Sequence, residues 1–166
     1  MIAFIEHDVH IKDYYIYEIE DKNYKRLIDN VKKINKSYPD INVMPRNKGV
    51  YNKSGKIYFD SEGEGTHLVE YQTDNYARVL KLDDDVKTPI TYIKMDIEGS
   101  EYQALDGARE IIQKYKPLLA ISLYHLKDDF RKLPLLINEI CPEYKHYCLE
   151  QYSYWYYDTV LYVSIY

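Results

Sequence analysis

Apolar positions along the chain change period several times, and each change marks an element. Ile2, Ile5 and Val9 recur at helical spacing, so residues 1–10 are predicted as the end of a helix. Tyr14 to Glu18 is an aromatic and β-branched run, read as a strand. Asp21 then reads as a helix N-cap, and Tyr24, Leu27, Ile28, Val31 and Ile34 form an apolar stripe that ends near Asn35 to Pro39. Ile41 to Tyr51 is predicted as a strand interrupted by polar residues at Arg46 to Lys48.

Asn52 to Gly55 reads as a turn into a strand over Lys56 to Phe59. Residues 60–75 are rich in Gly, Glu, Ser and Thr and are expected to form a loop, with Ser61 to Asn75 a candidate lid. Ala77 to Leu82 is a predicted strand with Arg78, Leu80 and Leu82 on one face. Ile90 to Met95 is another strand. It runs into an acidic turn, Asp96-Ile-Glu98-Gly-Ser-Glu101, from which one helix follows with Tyr102, Leu105, Ala108, Ile111, Ile112 and Tyr115 as its stripe. Pro117 ends that helix.

Leu118 to Tyr124 is a nearly continuous apolar run, as a strand covered on both faces requires, and it ends at His125. A helix around Lys132 to Ile140 follows, with Pro134 in its first turn. Tyr144 to Leu149 and Thr159 to Tyr166 are the last strands. No helix separates them, so they can only be an antiparallel pair. Strands alternating with helices predict an α/β domain built on a mostly parallel sheet.

Composition narrows the class. The 166 residues suit one domain, 1–166, with its own core. A net charge of -5 argues against a nucleic-acid surface. No apolar run approaches the roughly 20 residues that span a bilayer, and the N-terminus lacks the basic start of a signal peptide. The two cysteines, Cys141 and Cys148, have no metal-ligand spacing and read as reduced thiols in a cytoplasmic protein. The 21 tyrosines read first as compositional bias; alternatively some line an acceptor pocket.

The chemistry concentrates at strand ends. In open α/β sheets ligands bind at the carboxyl ends of strands, where this sequence sets Glu18, Asp96, Glu98, Glu101 and His125. A carboxylate such as Glu18 can accept hydrogen bonds from both hydroxyls of a ribose, or simply stand in solvent. Asp96 can orient an acceptor or take its proton, or cap a helix. Glu98 and Glu101 also suit the positive end of a helix. His125 is the natural proton acceptor of the group; His7, His10, His67 and His146 have no such setting. The three clustered acids could hold Mg²⁺ through oxygen ligands, a reading the sequence disfavours. Tyr152, Tyr154, Trp155, Tyr156 and Tyr157 crowd the turn before the last strand and could line an acceptor site or pack on the sheet.

Several segments carry a resemblance. Ile93-Lys-Met-Asp-Ile-Glu-Gly-Ser-Glu101 with Leu105 and Gly107, Leu118-Leu-Ala-Ile-Ser-Leu-Tyr-His125 with Asp128 or Asp129 and Pro134, and Asp158-Thr-Val-Leu-Tyr162 are together similar to the FkbM family of methyltransferases. Tyr17-Glu18 with Asn23-Tyr24 resembles that family's acidic segment, with Ile19 where the family usually has proline. The likeness runs from about residue 10 to the end. It implies a Rossmann-like class I methyltransferase fold whose sheet closes with an antiparallel C-terminal strand. It also implies S-adenosylmethionine as cofactor, with Glu18 on its ribose and Asp96 near the transferred methyl group. Asp96, Glu98, Glu101 and His125 would face a small-molecule or glycan acceptor, a glycan or secondary metabolite methylated on oxygen.

The family begins with a strand and a Gly-rich loop that holds the methionine part of the cofactor. The first glycine here is Gly49. The expectation is a domain truncated at the N-terminus, lacking a strand between those ending at Glu18 and Asp96. Two consequences are open: a non-catalytic remnant or interaction subunit with little cofactor affinity, and a homodimer in which a neighbouring chain supplies the strand.

Overall fold

The computed structural model describes residues 7, 9–60, 67–69, 71–74, 76–151 and 158–166. The chain divides into two compact units, Met1–Gly49 with Lys56–Arg78, and Val50–Gly55 with Val79–Tyr166. Most of the predicted N-terminal helix lies outside the described residues, as do the aromatic cluster at 152–157 and much of the candidate lid.

The first unit opens with a β-α-β motif. β1 (Asp13–Tyr17) and β2 (Asn42–Arg46) pair in parallel, with Asp13 opposite Asn42 and Tyr17 opposite Arg46. The connection is α1 (Asp21–Ser37). The predicted stripe is the covered face: Val31 is buried, while Tyr24, Leu27, Ile28 and Ile34 are half-buried. Asp21 is the first helical residue and not the cap, which is Glu20. The Asp21 carboxylate instead accepts a hydrogen bond from Asn47 Nδ2 at 2.6 Å, so a contact distant in sequence replaces the capping role. β3 is the short strand Gly49–Val50. β4 (Gly55–Asp60) pairs antiparallel with β5 (His67–Val69). The expected loop at 60–75 therefore contains a short strand.

β6 (Tyr76–Leu80) buries Ala77, Val79 and Leu80 and exposes Arg78. The predicted strand ends at Leu80, because Leu82 does not continue it. Leu82 opens a one-turn helix, α2 (Leu82–Asp85), and is buried there.

The second unit carries a sheet in the order β7-β8-β10-β9. β7 (Tyr92–Met95) runs parallel to β8 (Leu118–Ser122), and β10 (Thr159–Ser164) lies antiparallel between β8 and β9 (His146–Gln151). The closing antiparallel pair is as predicted. β7 lies at an edge of this sheet, where a central strand was expected.

The single helix expected after the acidic turn is two: α3 (Glu101–Asp106) and α4 (Arg109–Tyr115). The break is at Gly107, where the backbone passes so close to the Tyr51 carbonyl that a Cβ would collide with it. The Gly107 carbonyl is also turned away, accepting from Asp83 N at 3.1 Å. α5 (Asp129–Ile140) starts earlier than predicted, so Pro134 falls in its second turn.

Leu105, Ile112, Leu119, Ile121, Leu123, Leu133, Ile137, Ile140, Leu161 and Val163 are fully buried and make the core of this unit. Each such side chain contributes about 1.5–3 kcal/mol by leaving water. β8 buries Leu119 through Ser122 without a gap, as its unbroken apolar run requires. That strand anchors the site that follows it.

Candidate functional site

β7 and β8 end side by side, with Met95 opposite Ile121, and each delivers one polar group to the same place. Asp96 is the residue after β7; His125 lies three residues after β8. Between β7 and α3 the chain must reverse sharply. It does so through two consecutive left-handed residues, Glu98 (φ 56°) and Gly99 (φ 91°). Glycine adopts that conformation without cost, but Glu98 holds it against the steric preference of an L-residue. Gly99 is also packed closely, since a Cβ there would stand 3.3 Å from the Leu126 side chain.

This turn swings Glu101 back under the strand end. Glu101 Oε1 accepts a hydrogen bond from Ile97 N at 2.8 Å, and its side chain is only 1% exposed. The same oxygen stands 2.9 Å from His125 Nδ1. That approach is close enough for ion pairing but is not aligned as a hydrogen bond, so Nδ1 keeps no formal partner. His125 Nε2 lies 3.6 Å from Asp96 Oδ1 and 3.5 Å from Glu98 Oε2. The imidazole is 7% exposed, against 40% for Asp96 and 90% for Glu98. Of the residues singled out in the sequence, the carboxylates of Asp96, Glu98 and Glu101 therefore converge on the imidazole of His125.

Reasoning from sequence missed Tyr124. Its hydroxyl donates to Asp96 Oδ1 at 2.8 Å, and its ring tilts over His125 at a centroid distance of 4.2 Å. Its place between two motif residues was the one available signal. Partial burial pushes the Asp96 carboxyl up. The Tyr124 hydrogen bond, the Lys94 charge and a Ser122 hydrogen bond outweigh that and hold it below the usual carboxylate range. The same bond to Asp96, then burial and the nearby acids, push the Tyr124 hydroxyl up to about 12. Asp96 is thus an anion and Tyr124 a neutral donor across the physiological range.

Behind the histidine, Asp129 closes the loop into α5. It is 4% exposed and accepts Leu126 N at 2.8 Å. Burial raises its carboxyl despite that bond. A cleft of about 730 Å³ opens beside this loop, lined by Tyr102, Gln103, Leu126, Lys127, Asp128 and Lys132 among others.

Glu18 belongs to the first unit and follows β1. Its backbone N donates to Arg46 O at 3.0 Å, and its Oε1 accepts Glu20 N at 2.7 Å. One carboxylate oxygen is thus spent on its own turn. Among the described residues no group of three or more His, Cys, Asp or Glu side chains is arranged to hold a metal ion, and no helix is long and apolar enough to cross a membrane.

Comparison with known proteins matches this geometry to a family. The profile described as the methyltransferase FkbM domain covers residues 11–150. A comparison with curated proteins gives no match. Among solved structures, the chain is similar to the crystal structure of methyltransferase FkbM from Methylobacillus flagellatus KT. The two are 27% identical with a TM-score of 0.80, over 97% of this chain and 39% of that one. The chain therefore spans well under half the length of that protein. With the acidic turn, the histidine after β8 and the antiparallel closing strand all inside the matched fold, this chain belongs to the FkbM methyltransferase domain family.

Proposed function

We propose that the chain acts in S-adenosylmethionine-dependent methyl transfer to a hydroxyl of a glycan or secondary metabolite. The supporting observation is the buried imidazole of His125, set against Glu101 and faced by Asp96 and Glu98. Methylation of a hydroxyl requires an aligned oxygen and the removal of one proton. His125 Nε2 accepts that proton. Asp96, anionic and fixed by Tyr124, accepts a hydrogen bond from a second polar group and sets the orientation of the acceptor. Glu98 and Glu101 stabilise the positive charge that forms on the imidazole.

The cofactor, when bound, supplies the methyl group. Glu18 fits its ribose in part: its Oε2 makes no hydrogen bond among the described residues, while Oε1 is held by Glu20 N. No glycine precedes Gly49, so residues 9–48 offer no Gly-rich cradle for the methionine carboxylate.

Calorimetry with S-adenosylhomocysteine decides between activity and a non-catalytic role. Saturable binding that is lost in Glu18→Ala supports the reading. No heat and no thermal shift at millimolar ligand would leave an interaction subunit as the better account of this chain.

A further inference from the structure

The site holds buried polar atoms with no hydrogen-bond partner: Glu101 Oε2, Gln103 Oε1 and both nitrogens of His125. Native proteins keep few such groups, because each costs about 1–3 kcal/mol. Both His125 nitrogens are among them, and the carboxylates around them differ in exposure. Glu98 is 90% exposed. Asp96 is 40% exposed and is already engaged by Tyr124 and Lys94. Glu101 alone is enclosed, with Oε1 pinned by the Ile97 amide.

The two tautomers of the neutral ring are therefore unequal. A proton on Nε2 would leave the Nδ1 lone pair 2.9 Å from a carboxylate oxygen that cannot move away. A proton on Nδ1 faces that oxygen and needs only a small ring rotation to bond it. Such bonds are often misaligned before substrate arrives and tighten in the complex.

We infer that Glu101 is a positioning residue for His125, holding the ring as its Nδ1–H tautomer so that Nε2 presents a lone pair between Asp96 and Glu98. The inference rests on the reading of His125 as the proton acceptor. In that step the acceptor O–H bond breaks, its electron pair stays on oxygen, and its proton goes to Nε2. The resulting imidazolium is then flanked by carboxylates on both sides. The proton leaves to water afterwards.

The test is two-bond proton–nitrogen NMR of the uniformly ¹⁵N-labelled protein at pH 8, with His125 assigned by its loss in His125→Gln. The wild type is expected to show a protonated Nδ1 and an unprotonated Nε2. Glu101→Leu is expected to shift His125 to the Nε2–H form, and Glu101→Gln, whose amide oxygen can still accept, to retain Nδ1–H. Where turnover is measurable, Glu101→Leu should lower kcat about 10–100-fold with KM unchanged. A proton on Nε2 in the wild type, alone or with one on Nδ1, overturns the inference. So does a Glu101→Leu spectrum like that of the wild type. If Glu101→Leu does not fold, the wild-type and Glu101→Gln spectra still decide. None of this needs cofactor, so a protein that shows the Nδ1–H tautomer but binds no S-adenosylhomocysteine refutes the methyl-transfer reading and leaves the positioning intact.

Discussion

The Tyr124 hydroxyl donates to Asp96 Oδ1 at 2.8 Å, and that same oxygen stands 3.6 Å from His125 Nε2. One carboxylate oxygen thus lies between a neutral donor and the His125 ring. While Tyr124 holds it, Asp96 is less able to bind the imidazole, and Nε2 stays open.

Tyr124→Phe frees that oxygen. The Asp96 carboxyl should rise toward the ordinary carboxylate range, read by carboxyl ¹³C titration, and stability at pH 7 should fall by about 1 kcal/mol. The pH dependence has two limbs. Asp96, lowered in the folded state, adds stability above its unfolded pKa and loses it as pH falls through the lowered value. Tyr124, raised to about 12, adds stability below its unfolded value and loses it as pH climbs toward 12. The variant should flatten both limbs; an unchanged acid limb would show that Tyr124 does not hold Asp96.

Glu98 and Lys116 are the two non-glycine residues with positive φ among those described, at 56° and 47°. Replacing either by glycine removes a steric cost of about 1–2 kcal/mol and restores about 0.5–1 kcal/mol of chain entropy to the unfolded state. Each variant should therefore melt a few degrees higher. Lys116 caps α4 away from the acidic turn, so Lys116→Gly should leave catalysis untouched. Glu98→Gly removes a carboxylate facing Nε2 and should slow turnover while stabilising the fold. Calorimetric melts of the pair, beside their rates, separate strain from chemistry.

Gly107→Ala should be severe. Its φ of -81° suits any residue, so the cost is purely one of space. The new methyl would meet the Tyr51 carbonyl, which is backbone and cannot rotate aside. A loss of about 1–3 kcal/mol in urea unfolding is expected. A neutral result would mean that α3, α4 and the 50–55 segment shift together at little cost.

Asp129→Asn keeps an acceptor for the Leu126 amide and removes a buried charge. Because burial raises the Asp129 carboxyl, its ionised form opposes folding. The native contribution is full below the unfolded pKa and is lost as pH rises through the folded one. The variant should therefore be more stable than the wild type at pH 7 and equal to it at pH 3, by thermal melts at both.

Much of this could be read from local pattern. The stripe of α1, the unbroken run of β8 and the closing antiparallel pair each follow from periodicity or connection length. The convergence of Asp96, Glu98, Glu101 and His125 was legible because neighbouring parallel strands deliver their ends to one edge. What failed depended on distant partners. The helical stripe breaks at Gly107, where the backbone packs against Tyr51, 56 residues earlier. Leu82 fits a strand period yet starts a helix. Glu101 reads equally as a site residue and as an acid on the helix dipole, and its burial depends on the turn at Glu98 and Gly99. Tyr124 was hidden by the abundance of tyrosine.

The position of β10 between β8 and β9 dictates an order of assembly. β9 precedes β10 in the chain, yet it can join the sheet only through β10, which pairs with both β8 and β9. Its six residues are all exposed even in the finished sheet, with Leu149 at 58%. Until β10 arrives, both edges of β9 are open to pairing with any other extended chain. This segment is therefore one that a folding chain must keep from aggregating until β10 has docked on β8.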